Sequence, residues 1–356
     1  MKIVLVGDYN WFWYQEACAQ EFERQGNIAV RFSWFDDFKK YTKSKVEPVF
    51  KNIIKRFEYR TLIGPTIYTI NRRLIRVVEE EKPDVVFIYN GKLIKKRTLR
   101  KLRKLVPNIK IALYANDNPF VSPPLLNFWH NYLKCISEAD VCLAYRESDF
   151  SGYLKHGASK VEWLRSYFIE DEDYPIPRVD VPSQFKCDVV FAGHFENDSR
   201  IPALEKIIEA GFDLKLYGGG WEAASEHLGP ASPLLKILPV EPAIGEDYRY
   251  AICGAKVALC FLSTLNSDTY TRRNFQIPAM RVAMLTQSTE DLLQLFPGNL
   301  DCVFFSSNDE LLSKLKELVE DYFLRSRVAE AGYKRVWFNQ QHLKGRVETL
   351  IRLFSS

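Results

Sequence analysis

Ser267-Asp268-Thr269-Tyr270-Thr271-Arg272-Arg273-Asn274-Phe275-Gln276-Ile277-Pro278-Ala279 follows the apolar run Val257–Leu262. The run reads as a buried strand, overlapping the strand read over Lys256–Phe261, and Asn274–Val282 as the helix after it. Strand, polar turn and helix in that order are half of a βαβ unit. Two adjacent arginines stand just before the expected helix start. Free N–H groups and the helix dipole favour an anion at such a place, and guanidinium forks bind phosphate in bidentate fashion. The competing reading is a surface charge pair that caps a loop.

The same alternation runs outward from this stretch. On its N-terminal side, Asp188–Ala192, Asp213–Tyr217 and Lys236–Val240 read as strands and Pro202–Ala210 as a helix. On its C-terminal side, Glu310–Asp321, Arg325–Phe338 and Leu343–Phe354 read as helices. Residues 165–185 change character, with an acidic stretch and then Pro175, Pro177 and Pro182, and read as a linker. Before them, strands Lys2–Val6, Ile28–Phe32, Asp84–Tyr89, Ile109–Tyr114 and Val141–Ala144 alternate with helices Trp13–Gln25, Ile67–Glu81 and Lys95–Leu105. Strands separated by helices imply parallel sheets with helical crossovers. The expected fold class is α/β, with two Rossmann-like domains facing across a cleft. Ligands bind at the C-terminal ends of strands in such sheets, so the cleft is the expected site.

The chain has 356 residues, enough for about two domains of ~150 residues each. Hydrophobic residues at 47% and charged residues at 26% exclude disordered and collagen-like classes. The seven cysteines are scattered, with no CxxC or Cys/His spacing, and read as buried reduced thiols of a cytoplasmic protein rather than metal ligands. The opening run Lys2–Val6 is too short for a signal-peptide core, and no segment approaches the ~20 apolar residues of a spanning helix. Net charge is +4, but it is unevenly placed. Met1–Phe168 has 29 Lys and Arg against 18 Asp and Glu, a balance of +11, and the remainder has 20 against 27, a balance of −7.

The string Thr271-x-Arg273-x-Phe275-Gln276-Ile277-Pro278-Ala279 resembles the signature of CgeB-like glycosyltransferases, a branch of the retaining enzymes of GT-B fold. Met284-Leu285-Thr286, Asp291–Phe296, Val303-Phe304-Phe305, Asp309-Glu310-Leu311 and Arg327–Gly332 follow in the order of that family's C-terminal domain. The resemblance implies an acceptor domain over 1–168, a linker over 169–185 and a nucleotide-sugar domain over 186–335. It implies that a helix over 336–356 packs back on the first domain. It further implies a hexosyltransferase-type enzyme that takes its sugar from a nucleotide-diphospho-sugar. Retention of configuration, no metal and no cofactor beyond the substrate are expected.

In the retaining clan, a Glu-x7-Glu pair lies at the nucleotide-sugar site. Here those positions hold Asp268 and Gln276. Gln276 can accept from and donate to ribose hydroxyls. Asp268 can hydrogen-bond the sugar or support a developing oxocarbenium. Gly193-His194, after Val189–Ala192, resembles the glycine that ends the first donor-domain strand beneath the diphosphate. Arg200, on the next helix, is expected to join Arg272 and Arg273 on that diphosphate. Gly218-Gly219-Gly220 ends a strand and is expected to line the nucleoside pocket. The same loop also reads as a weak dinucleotide fingerprint, discounted because Pro230 and Pro233 break the helix that such a site needs.

In the first domain, Asn116-Asp117-Asn118-Pro119 resembles the family's Asp-Asp-Pro loop. Asp117 is the candidate acceptor-hydroxyl ligand or base, against an Asx-turn as the plain alternative. Asp8, Tyr9 and Asn10 end the first strand and, with Asn116, are candidates for acceptor binding. Lys92, Lys95, Lys96, Arg97, Arg100, Lys101, Arg103 and Lys104 place eight cations in 13 residues. They read as a solvated helix face or as a dock for anionic lipid or a polyanionic acceptor, peripheral at the inner face of the membrane. No nucleic-acid-binding pattern accompanies them. Expected partners are a nucleotide sugar and a glycan, lipid-linked or protein acceptor, in polysaccharide biosynthesis. A nucleotide-sugar epimerase of the same fold and a non-catalytic binding module remain the alternatives.

Overall fold

A computed structural model describes residues 1–36, 38, 55, 57–121 and 126–356, with residues 126 and 127 described by backbone alone. The chain divides into two compact units: Met1–Arg165 with Leu343–Ser356, and Ser166–His342.

In the first unit, β1 (Lys2–Gly7) leads through a π-helical turn (Phe12–Glu16) into α1 (Ala17–Arg24) and β2 (Ile28–Ser33). Then follow α2 (Pro65–Glu81), β3 (Val85–Tyr89), α3 (Lys96–Leu105), β4 (Lys110–Tyr114), α4 (Leu126–Cys135), β5 (Val141–Ala144), α5 (Glu147–Lys155) and β6 (Val161–Trp163). The six strands pair in the order β2-β1-β3-β4-β5-β6, all parallel. β3 is buried along its whole length, as a parallel strand covered by helices on both faces must be. The pleat sends alternate residues to opposite sides. Val86 and Ile88 pack with Leu74 and Val78 of α2 and Leu99 and Leu102 of α3.

The second unit begins with β7 (Cys187–Ala192), α6 (Arg200–Glu209), β8 (Leu214–Tyr217), α7 (Glu246–Gly254) and β9 (Ala255–Cys260). It continues with α8 (Arg273–Ala279), β10 (Ala283–Gln287), α9 (Glu290–Leu295), β11 (Val303–Phe305), α10 (Asn308–Glu320) and α11 (Tyr322–Phe338). Its sheet order is β11-β10-β9-β7-β8, again parallel. The reversal between β7 and its two neighbours makes a topological switch point at the C-terminal ends of β7, β8 and β9.

α12 (Leu343–Ser355) belongs to the first unit. Phe354 lies 6.5 Å from the Phe22 ring and 5.8 Å from Phe87, and its carbonyl accepts Lys110 Nζ at 3.0 Å. Residues 166–185 belong to the second unit, where Phe168, Asp173 and Val181 are buried.

The strand expected over Lys236–Val240 is not formed. A short 3₁₀ turn covers Pro233–Lys236, and Pro239 has no N–H to give a ladder. The helix expected over Asn274–Val282 is shorter and earlier. Pro278 lacks the N–H for one bond, and Arg281 in a left-handed conformation (φ +58°) separates α8 from β10. All seven cysteines are buried and free. Among the described residues, no helix is long and apolar enough to cross a membrane.

Candidate functional site

The loops leaving β7 and β8 are bonded into one floor. Gly193 N–H donates to Tyr217 O at 2.7 Å, and Phe195 N–H to Gly219 O at 3.0 Å. Trp221 Nε1 donates to Gly193 O at 3.0 Å, and the Trp221 ring is buried beneath the floor. Gly218 can only be glycine here. Its φ is +142°, and a Cβ would stand 2.1 Å from Gly193 O. His194 is exposed, with Nδ1 3.3 Å from Gly219 O. Gly193, His194, Gly218, Gly219 and Gly220 are thus brought together at one sheet edge.

Arg273 reaches the same place. Its Nη1 lies 3.3 Å from where a Cβ on Gly193 would sit, and its Nη2 donates to Phe261 O at 3.2 Å. Its Nε is buried without a hydrogen-bond partner among the described residues. A buried guanidinium N–H without a partner is rare in a folded protein. Burial disfavours the Arg273 charge. Cys260 and Tyr248, and with less weight Asp268, outweigh that and raise its pKa. Asp268 is half-buried, with its N–H on Ser263 O at 2.9 Å, and its charge reaches Arg273.

The turn that aims Arg273 is fixed by Asn274, a residue whose role was not legible beforehand. Asn274 is fully buried; its Oδ1 accepts from Thr271 N at 2.8 Å, and its Nδ2 donates to Thr286 Oγ1 at 3.1 Å. Tyr270 packs edge-on against Phe275 below. Three N–H groups at this helix start are already in use. Asn274 donates to Thr271 O, and Phe275 and Gln276 both donate to Arg272 O.

Arg272 and Gln276 gather instead around Asp173, which lies in the stretch read as a linker. Gln276 Nε2 donates to Asp173 Oδ1 at 2.8 Å, and Arg272 Nη2 lies 3.3 Å from Asp173 Oδ2. Ile169 N–H donates to the same Oδ2 at 2.8 Å. Arg272 Nε also donates to Tyr167 O at 3.3 Å. Tyr248 OH donates to Gln276 Oε1 at 3.2 Å, and burial raises the Tyr248 phenol pKa above its ordinary value. Arg272 is thereby engaged in a buried ion pair rather than presented to a diphosphate.

Arg200 is also engaged. It is 2% exposed, and four N–H groups are used: on both Asp198 carboxylate oxygens, on His194 O and on Leu262 O. Glu196 adds a carboxylate at 3.3 Å. The direct diphosphate contact expected of Arg200 gives way to a role in holding the 193–199 loop. Burial and two carboxylates leave little of its charge to a ligand.

In the first unit, the candidates lie after β1 and β4. Asp8 Oδ1 accepts from Asn10 N–H at 3.1 Å in an Asx-turn, and Tyr9 folds back to donate from its OH to Leu5 O at 2.9 Å. Asn116 Oδ1 accepts from Asn90 Nδ2 at 2.8 Å, and Asp117 lies 3.4 Å from Lys92 Nζ. Asn90 and Lys92, from the loop after β3, join a group that sequence reading assigned to the β1 and β4 loops alone.

Residues 200–352 match the family model described as glycosyl transferase-like. No curated protein matches the chain. Among solved structures, the sucrose-phosphate synthase of Thermosynechococcus elongatus is similar with a TM-score of 0.70 at 11% identity, over 100% of this chain and 98% of that one. The HepE protein of Anabaena, in complex with UDP and glucose, gives 0.67 at 10% identity over 100% and 99%. A UDP-forming trehalose-phosphate synthase from Burkholderia xenovorans gives 0.62 at 12% over 100% and 98%. The chain therefore has the GT-B fold along its whole length, with a glycosyl transferase-like match over residues 200–352.

Proposed function

We propose that this chain is a glycosyltransferase of hexosyltransferase type. It moves a sugar from a nucleotide-diphospho-sugar to a hydroxyl on a glycan, lipid-linked or protein acceptor. The observation that carries this reading is the Arg273 guanidinium beside Gly193, with a buried Nε that lacks a partner among the described residues. The glycosyl transferase-like match over residues 200–352 supports it, as do fold neighbours such as HepE, solved with UDP-glucose. Within that group we read the chain as CgeB-like, on Thr271-x-Arg273-x-Phe275-Gln276-Ile277-Pro278-Ala279.

In this reading the leaving diphosphate gathers negative charge as the glycosidic bond breaks. Arg273 supplies preorganised countercharge where that charge develops, and Gly193 lets the phosphate approach the backbone. Asp268 faces the sugar, and Asp117 binds the acceptor hydroxyl. The transfer is metal-independent and retains configuration. UDP is expected to raise the Tm, and a productive UDP-sugar is expected to be consumed with retention, read by NMR of the product anomer. Binding without consumption of any nucleotide sugar would leave a binding module, and an epimeric nucleotide sugar as product would make it an epimerase.

A second feature bears on where it works. In α3, Lys96 and Arg100 pair with Glu138, and Arg103 with Asp140. Arg97, Lys101 and Lys104 stay exposed, and Arg97 and Arg72 both lie over the half-exposed Tyr68 ring. We read this face as a peripheral dock for anionic lipid, each near-surface cation contributing about 1 kcal/mol. The chain is expected to sediment with phosphatidylserine vesicles at low salt and not with phosphatidylcholine vesicles. Arg97→Glu with Lys101→Glu should remove that binding; unchanged sedimentation would refute the dock.

A further inference from the structure

Asp173, Gln276 and Tyr248 form a chain of hydrogen bonds that runs in one direction. A carboxylate accepts and does not donate, so the Gln276 amide turns Nε2 to Asp173 Oδ1, at 2.8 Å. That leaves Oε1 facing Tyr248, where the phenol proton meets it at 3.2 Å. Asp173 is held in turn on Oδ2 by Ile169 N–H and the Arg272 guanidinium. Asp173 and Gln276 are 3% and 8% exposed, whereas Tyr248 is partly exposed. Each link donates inward, toward the carboxylate. The proton of Tyr248 is therefore spent, its oxygen accepts from no described residue, and the chain ends near solvent on an acceptor.

Tyr248 stands in the first turn of α7, and the segment leading into this helix is tied to the glycine loop after β8. Gly218 N–H donates to Glu241 O at 3.2 Å, and Gly245, with φ +61°, turns the chain into the helix. The phenol also lies within the field of Arg273. It is among the groups that raise the Arg273 pKa, and Arg273 acts against the rise that burial imposes on the phenol. A ligand whose phosphate meets Arg273 carries its neighbouring group into the surroundings of Tyr248. In a nucleotide-diphospho-sugar, each end of the diphosphate bears a ring with hydroxyls, and a hydroxyl supplies the proton that this phenol oxygen lacks.

Resting on the glycosyltransferase reading, we propose that Tyr248 takes a ring hydroxyl of the nucleotide-sugar on its phenol oxygen, and that Asp173 is the positioning residue that makes the phenol an acceptor. Gln276, expected from sequence to meet ribose itself, transmits the direction instead. A glutamine without a carboxylate behind it can present either end of its amide, and the phenol in front of it can then donate or accept. With Asp173 fixed behind it the amide has one orientation, and Tyr248 distinguishes a ligand that offers a proton from one that does not. The ring is the ribose or the transferred sugar, which share this chemistry.

The test is titration calorimetry on the full chain with UDP, 2′-deoxy-UDP, 3′-deoxy-UDP and UDP-glucose. If the ring is the ribose, one deoxy nucleotide should bind about fivefold more weakly than UDP, the worth of roughly one hydrogen bond. If it is the sugar, UDP-glucose should bind about fivefold more tightly than UDP for the same reason. Tyr248→Phe should bring that one affinity ratio close to unity and leave the others as they are. Asp173→Asn, whose amide can donate to Gln276 and release the direction, should reduce the same ratio. Asp173→Asn with Gln276→Glu, which gives Tyr248 a carboxylate to donate to, should restore it. A ratio cancels a general loss of affinity, so a Tyr248 that only supports the fold would lower Tm and leave every ratio unchanged. Ratios all near unity in the unmodified chain, ratios that all survive Tyr248→Phe, or no recovery in the double variant would overturn the assignment. Absence of UDP binding to the unmodified chain would instead overturn the glycosyltransferase reading.

Discussion

Replacing Arg273 by methionine should weaken UDP binding by about 10- to 100-fold, the loss of a charge-assisted hydrogen bond of ~1.5–3 kcal/mol. Titration calorimetry reads this directly. The expectation rests on how little the protein itself asks of this guanidinium. Nη2 holds Phe261 O, Nη1 lies beside Gly193, and the buried Nε holds nothing among the described residues. Methionine keeps much of the volume packed against Phe191, so Tm should fall by only ~2–4 °C, which is about 1 kcal/mol for a unit of this size. Arg272 makes the contrast. Its guanidinium is bound to Asp173 and Tyr167 O. Arg272→Met should therefore lower Tm more and UDP affinity less than Arg273→Met. Equal losses of affinity in the two variants would mean that both arginines touch the diphosphate. No loss in Arg273→Met would remove the donor site from this sheet edge.

The legible part of this molecule is the part set by local pattern. Runs such as Val85–Tyr89 and Val257–Leu262 are apolar throughout because both faces of a parallel strand are covered, and no partner need be known to read them. Three-residue strands such as Val161–Trp163 and Val303–Phe305 carry too few side chains for a pattern to show. The glycines after β8 were legible as a turn, and the fold gives the reason: a Cβ at position 218 would stand 2.1 Å from Gly193 O. The arginines were legible as cations but not as pairs. Sequence separates Arg272 from Asp173 by almost a hundred positions, and nothing local distinguishes Asp173 from its acidic neighbours Glu170, Asp171 and Glu172. Arg200 misled for the same reason. Its carboxylates at 196 and 198 are close in sequence, but its 2% exposure is a tertiary fact. Asn90 went unread because an asparagine after a strand is ordinary, and its strain and its unmet oxygen exist only in the fold.

Glutamate at position 276, the residue that the family pattern carries there, should destabilise this chain unless position 173 changes with it. Gln276 donates from Nε2 to Asp173 Oδ1 at 2.8 Å, and both residues are buried. Gln276→Glu removes that donor and sets two carboxylates face to face, with Arg272 at 3.3 Å from Asp173. The loss of a hydrogen bond to a charged group and the added repulsion should cost about 2–4 kcal/mol, or ~5–15 °C in Tm. Asp173→Asn should also destabilise, because Arg272 loses its counter-ion and stays mostly buried. The double variant Asp173→Asn with Gln276→Glu restores one amide and one carboxylate. The amide introduced at 173 can donate to the carboxylate introduced at 276, Tyr248 OH still donates to position 276, and Arg272 lies one helical turn from it. Its Tm should return to within a few degrees of the parent, a coupling of ~2 kcal/mol or more. The single Gln276→Glu variant also has a pH signature with a definite sign. The facing Asp173 carboxylate raises the folded pKa of the introduced carboxyl above its unfolded value of ~4.3, so the penalty appears as pH rises through that value and fades below it. Thermal melts of the four chains between pH 4 and pH 8 check both statements. Two additive single losses would show that Asp173 and Gln276 do not act as a pair. Recovery of Tm in the double variant would show that the carboxylate here is shared property of positions 173 and 276, and that glutamine at 276 is the consequence of aspartate at 173.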